Sequence, residues 1–306
     1  MRRLAIPVLV LLSLLVFRPE LAAQEEPESR RGWLWTFSFS NYTYPRRTLP
    51  PDATGQSPGT IRARTYAIDN SIGYRFSRLF AVTTDIPLYL ARFCQTDNAG
   101  VTTCGSNNGF GDIGFSARIS LEGKVANFYS TGTVFLPTGS TSRGLGAGST
   151  TAAWTNTANL NLWTTTPFVS VTIANSLLRT ASFLRPFASK GLVYEVSGGL
   201  EHEFHRLLRV GGLLYAVFPS GTQTTFGRLR RGPGPVPIPT PPNVPQQGRT
   251  TASEALTRDN GASSWLRFPF HDNFQLQIAY TRSVRLDLNV VSWGFFINFS
   301  PLLPKP

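Results

Sequence analysis

Cysteine, histidine, methionine and charge are all in short supply in this chain, and helical periodicity is scarce. Its 306 residues include two cysteines, one methionine and three histidines, and only 15% are charged. Two cysteines cannot staple a disulfide-rich scaffold, and with no histidine nearby they do not form a metal site. Beyond the first residues no apolar run reaches the roughly 18 residues that a spanning helix needs, which excludes a transmembrane helix. The charge that is present is lopsided, at a formal +12.

The start reads as a leader. In "MRRLAIPVLVLLSLLVFRPELAAQEE", Arg2 and Arg3 form a positive n-region and Ala5 to Phe17 an apolar core. Small residues then lead to a cleavage point near Ala23. Residues 1–23 are therefore expected to be a cleaved signal peptide and residues 24–306 the exported protein. Losing the leader removes Arg2, Arg3, Arg18 and Glu20, so +12 falls to +10. Such a surface favours acidic partners, and in an exported chain these are anionic lipid or glycolipid rather than nucleic acid. Export also predicts that Cys94 and Cys104 pair in one short disulfide.

"VFLPTGSTSRGLGAGSTT", Val134 to Thr151, looks like a phosphate loop but has the wrong spacing. A P-loop needs Lys and Ser or Thr directly after its second glycine, whereas Leu145 and Gly146 follow Gly144. Gly144, Gly146 and Gly148 fall on every second residue, and no helical pattern follows. The expected role of these glycines is sharp turning in a loop.

What the chain has in abundance is period two. Trp33, Trp35, Phe37 and Phe39 alternate with Leu34, Thr36, Ser38 and Ser40. Ile113, Phe115, Ala117 and Ile119 alternate with Asp112, Gly114, Ser116 and Arg118. Leu192, Tyr194, Val196 and Leu200 alternate with Glu195, Ser197, Gly199 and Glu201. Such alternation gives a strand two unlike faces. In a soluble sandwich the polar face is rich in Lys and Glu, but here it is mostly Ser, Thr, Gly, Asn and Gln. One face apolar with aromatics and the other small and polar is the pattern of a membrane barrel, which must close because lipid cannot satisfy a strand edge. The prediction is an all-β fold, a transmembrane antiparallel up-and-down β-barrel of about 12 strands. The spans are 32–42, 62–76, 79–93, 109–121, 127–137, 152–163, 167–178, 191–204, 208–219, 263–270, 273–282 and 288–299. Short connections alternate with long ones until the last hairpin, as in barrels with periplasmic turns and outer loops. The longest, about 220–262, contains a Pro-rich stretch from Gly232 to Gln247 that cannot hold a sheet.

At "GFGDIGFSARISL" and "NFYSTGTVFLPTGSTSRGLGAGSTT" the chain resembles an outer-membrane transporter family associated with phenol meta-pathway degradation. That family is in turn similar to fatty-acid and aromatic-hydrocarbon channels of the outer membrane. The matching pieces are the Gly-Asp-Ile unit with Asp112 and the strand ending at Pro137-Thr138-Gly139, and the match covers roughly Gly109 to Leu178. The resemblance implies a barrel that passes small apolar or aromatic compounds across the bacterial outer membrane.

Three functions compete. A channel would be lined by the polar-face charges Asp69, Asp85, Asp112, Arg118, Glu195, Glu201 and Glu203. A closed structural barrel would use the same charges as salt bridges across its lumen. An outer-membrane lipase would need a serine beside His202, His205 or His271. All three histidines fall near short turns and no His-x-Ser-type motif accompanies them, so no enzyme is expected. "HEFH" lacks a third ligand, so neither a metal nor a cofactor is expected.

Overall fold

The computed structural model describes residues 32–48, 60–96, 100–140, 145–177, 187–205, 207–227, 249–252, 258–271, 274–285 and 288–298. The expected signal peptide and Pro-rich stretch lie outside these residues. The strands are β1 (Gly32–Thr48), β2 (Thr60–Arg75), β3 (Phe80–Thr96), β4 (Thr102–Phe110), β5 (Ile113–Glu122), β6 (Ala126–Leu136) and β7 (Thr151–Leu160). They continue as β8 (Thr165–Ser176), β9 (Phe187–His205), β10 (Leu208–Gly227), β11 (Arg249–Ala252), β12 (Asp259–His271), β13 (Phe274–Ser283) and β14 (Leu288–Asn298).

Twelve of them form a closed antiparallel barrel. Sequence neighbours pair around the wall, and β14 closes on β1 through pairs such as Phe37 with Ile297 and Ser40 with Gly294. Closure leaves no open edge, as a chain with an apolar outer face requires. The other two strands extend the wall at the long-loop end. There β4 folds back on the top of β3, and β11 pairs with the top of β10. The spans read from sequence stop short at this end because the polar, Gly-rich stretches beyond the apolar band have no alternation to mark them. Cys94 and Cys104 are direct partners in the β3–β4 hairpin and are joined by a disulfide.

The span 109–121 is not one strand. Leu88 pairs with Phe110 and Asp85 with Gly114, so three residues of one chain face two of the other. The result is a β-bulge at Gly111–Asp112, where Gly111 N donates to Pro87 O at 2.8 Å. A bulge re-aims side chains. Phe110 stays on the outer face while Asp112, two residues on, turns inward.

The two faces divide as period two dictates. Phe115, Ile119, Val169, Val171 and Leu214 are exposed on the outer wall. Ser116, Ser170, Thr172, Ser197 and Ser263 face in. Outer aromatics gather towards the short-turn end: Trp33, Tyr74, Phe76 and Phe80 form one chain of ring contacts and Phe270, Phe274, Phe295 and Trp293 another. Rings at that level suit a membrane interface, apolar on one side and wet on the other.

Candidate functional site

Inside the barrel the wall is of two kinds. From β8 to β13 the inward side chains are packed: Val193, Glu195, Val217, Asp259 and Trp265 are each at most 1% exposed. From β1 to β7 the middle of the wall is half-open, with Ser71, Thr83, Asp85, Ser116, Thr133 and Thr155 all part-accessible. Its hydroxyls pair across strands, Ser116 with Thr133 at 2.9 Å and Thr155 with Thr172 at 2.9 Å. Buried residues bound this patch at both levels, Tyr89 and Phe135 towards the long loops and Arg75, Tyr129 and Thr157 towards the short turns.

The cap on the long-loop side is the glycine-rich segment. Gly139 and Gly146 do more than turn, the role the sequence pattern predicts; with Leu145 they lie in the barrel mouth. Leu145 is buried against the inward-facing Ala67 and Tyr89. Asp112, 1% exposed, accepts a hydrogen bond from Gly139 N at 2.9 Å and another from Ala147 N at 2.7 Å. Thr138 closes the base of the segment, its hydroxyl donating to Gly111 O and accepting from Ile113 N. The glycines serve close approach. A Cβ on Gly146 would lie 2.3 Å from Asp112 Oδ1, and one on Gly139 would lie 2.6 Å from Leu145 O. Buried carboxylates are stable only with donors of this kind, so the bulge and the glycines work as one unit.

A second cluster lies towards the short turns. Glu201 on β9 accepts from Trp265 Nε1 and from Arg267 Nη1, the latter at 3.1 Å. Arg267 is 2% exposed and its Nε donates to Gln277 Oε1 at 3.4 Å. Arg209 Nε pairs with Glu203 Oε2 at 3.0 Å. The Trp265 ring lies over Gly211, where a Cβ would stand 2.2 Å from the indole. Removing one partner of such a buried pair costs far more than the pair itself contributes.

All seven predicted charges thus fall on the inner face, but in three settings. Asp69, Asp85 and Arg118 lie on the half-open side, with the Arg118 guanidinium 4.3 Å over the Tyr129 ring. Asp112 is sealed beneath the loop. Glu195 is buried in the packed half, while Glu201 and Glu203 hold arginines. Sequence reasoning missed Trp265, Arg267 and Arg209. The signal for the first two was parity, since both stand opposite in phase to the outer Leu266, Phe268 and Phe270. Leu145 offered no signal at all. His202 faces outward, its Nδ1 2.7 Å from Thr165 Oγ1 and its ring 4.6 Å from that of Phe204. The side chains of His205 and His271 lie outside those described. Among the described residues no group of His, Cys, Asp and Glu is placed to hold a metal.

No protein-family model matches the chain, and no curated protein matches it. Solved structures do. An outer-membrane channel from Pseudomonas putida F1 superposes with a TM-score of 0.57 at 11% identity, covering 90% of this chain and 98% of that one. The Pseudomonas putida toluene transporter TodX gives 0.43 at 9%, covering 94% and 95%. The NanC porin gives 0.44 at 6%, covering 85% and 98%. At these identities the first likeness establishes a shared fold, that of an outer-membrane barrel.

Proposed function

We propose that the protein is an outer-membrane channel for small apolar or aromatic compounds, of the kind its sequence resembles in phenol meta-pathway transporters. In this reading a leader is cleaved, the short turns, the start of β1 and the end of β14 face the periplasm, and the long loops face outward among acidic glycolipids. The observation that carries it is the apolar contact of the inward-folded loop with the wall. A solute entering past the long loops meets Leu145 packed on Ala67 and Tyr89 before it reaches the hydroxyl-lined patch. An apolar and aromatic entrance favours compact apolar solutes over sugars or ions, whose desolvation it does not repay.

The test is uptake of a radiolabelled monoaromatic hydrocarbon at limiting concentration by cells with and without the protein, against a monosaccharide of similar size. The expected result is faster hydrocarbon uptake with no change for the sugar. Equal rates for both solutes with and without the protein would sink the proposal.

A second reading, a closed barrel with a salt-bridged lumen, is favoured by one specific observation. The packed half holds Glu195, Asp259 and Arg267 almost wholly out of solvent. It predicts no conductance steps from the purified protein in planar bilayers.

A further inference from the structure

The outer wall carries an unbalanced charge at a defined height. On β3 the outward residues run Leu88, Leu90, Arg92 and Cys94; on β2 they run Ile68, Tyr66 and Arg64; on β4, Phe110, Asn108 and Ser106. The apolar face ends at Leu90 and Phe110, and one outward step further stand two arginines. Arg64 and Arg92 are direct cross-strand partners, and both are exposed. Like charges so placed repel, because Cβ atoms of such a pair are only about 4.5–5.5 Å apart. Among the described residues nothing of opposite sign relieves them, since the Asp and Glu of the wall strands point inward, apart from Glu122 at the short-turn end. Lys190 is exposed at the long-loop end of β9 as well.

The surroundings fix the pair in place. Arg64 Nη1 lies 3.4 Å from Tyr66 Oη. The Cys94–Cys104 disulfide ties β3 to β4 two residues beyond Arg92, so the hairpin carrying that arginine is braced on both sides. We propose that Arg64 and Arg92 form a binding site for the phosphate groups of an acidic glycolipid in the outer leaflet. Two adjacent guanidinium groups match a phosphate in charge and fork geometry. Their position just past the last apolar side chains puts them at headgroup height, with Leu90 and Phe110 left to the acyl chains. This rests on the reading that the barrel lies in the outer membrane.

The experiment uses the full mature chain, refolded in zwitterionic detergent with a chelator present. Native mass spectrometry follows binding of bisphosphorylated lipid A, dephosphorylated lipid A and inorganic phosphate. Saturable binding of the bisphosphorylated lipid is expected, with the dephosphorylated form at least roughly tenfold weaker, since removing one charge-assisted hydrogen bond weakens binding by about that factor. Inorganic phosphate, lacking the acyl anchor, should not compete. Arg64→Gln and Arg92→Gln should each weaken lipid binding roughly tenfold, and Lys124→Gln at the short-turn end should leave it unchanged. The proposal is overturned if the double variant binds like the parent, if Lys124→Gln weakens binding equally, or if inorganic phosphate competes as well as the lipid does. A heat-dependent gel shift confirms that each variant is a folded barrel. Failure of the parent chain to insert into bilayers would overturn the membrane reading separately, since binding in detergent does not depend on it.

Discussion

Asp112→Asn removes one charge from a group that holds a loop inside a barrel, and its effect can be sized from the geometry. The carboxylate accepts two backbone N–H groups, at 2.9 and 2.7 Å, at a site 1% exposed. Hydrogen bonds to a charged group each contribute on the order of 1.5–3 kcal/mol. Asparagine keeps the shape and one acceptor oxygen, but its NH2 must face the second N–H. The expected loss is therefore about 2–4 kcal/mol, which lowers the ratio of seated to unseated loop by roughly 30- to 700-fold. Hydrogen exchange is the direct assay, because the amides of Gly139 and Ala147 are the groups released. Their exchange should accelerate while that of the β5–β6 ladder does not, and single-channel conductance should rise or flicker. Gly146→Ala must give the same result by another route, since its new Cβ would strike Asp112 Oδ1 and Gly139 O at 2.3 and 2.5 Å. Unchanged exchange at Gly139 and Ala147 in both variants, with the barrel folded, refutes the assignment of Asp112 as the loop's anchor.

Phe115→Arg should impair folding into bilayers by about 2–4 kcal/mol, and Ser116→Arg much less, although the residues are adjacent; urea titration in vesicles measures both, and equal losses would contradict the facing. Glu201→Gln should cost roughly 3–5 kcal/mol by leaving Arg267 buried without its counter-charge. The additional change Arg267→Met should restore much of that, and a double variant no more stable than Glu201→Gln in the same titration speaks against the pairing. Cys94→Ser with Cys104→Ser should still fold and should lose no more than about 3 kcal/mol, because the closed loop is short and the β3–β4 ladder remains; free thiols titrated in the denatured, oxidised parent would show that no bond forms.

The barrel was legible because its signal is repeated in every strand. Alternation of apolar and small polar residues is imposed by a bilayer outside and hydroxyls inside, and it recurs from Trp33 to Phe295. The bulge was not legible. Phe110 and Asp112 share parity in the sequence, and only the Leu88 and Asp85 registers reveal that an extra residue separates their faces. The loop's inward fold was equally hidden, because Gly139 and Gly146 have the composition of a solvent-exposed turn. What distinguishes them is a contact with Asp112 and Leu145 that exists only in three dimensions. Arg267 lay in between. Its parity with Trp265 marked it as inward, but its partner Glu201 is far away in sequence and could not be named without the β9–β10–β12 pairing.

If the barrel conducts as proposed, the paired hydroxyls of the half-open wall have a kinetic meaning. Ser116 with Thr133, and Thr155 with Thr172, each use one proton within the pair. A molecule sliding past them meets lone pairs, threonine methyls and the one O–H that each pair leaves over, with no deep well. Its hold at any one height is shallow, so dwell time is short and successive positions are nearly equal in energy. A surface of this type sets transit by how readily solute and water exchange places, and binding affinity measured at equilibrium would say little about how fast a molecule gets through.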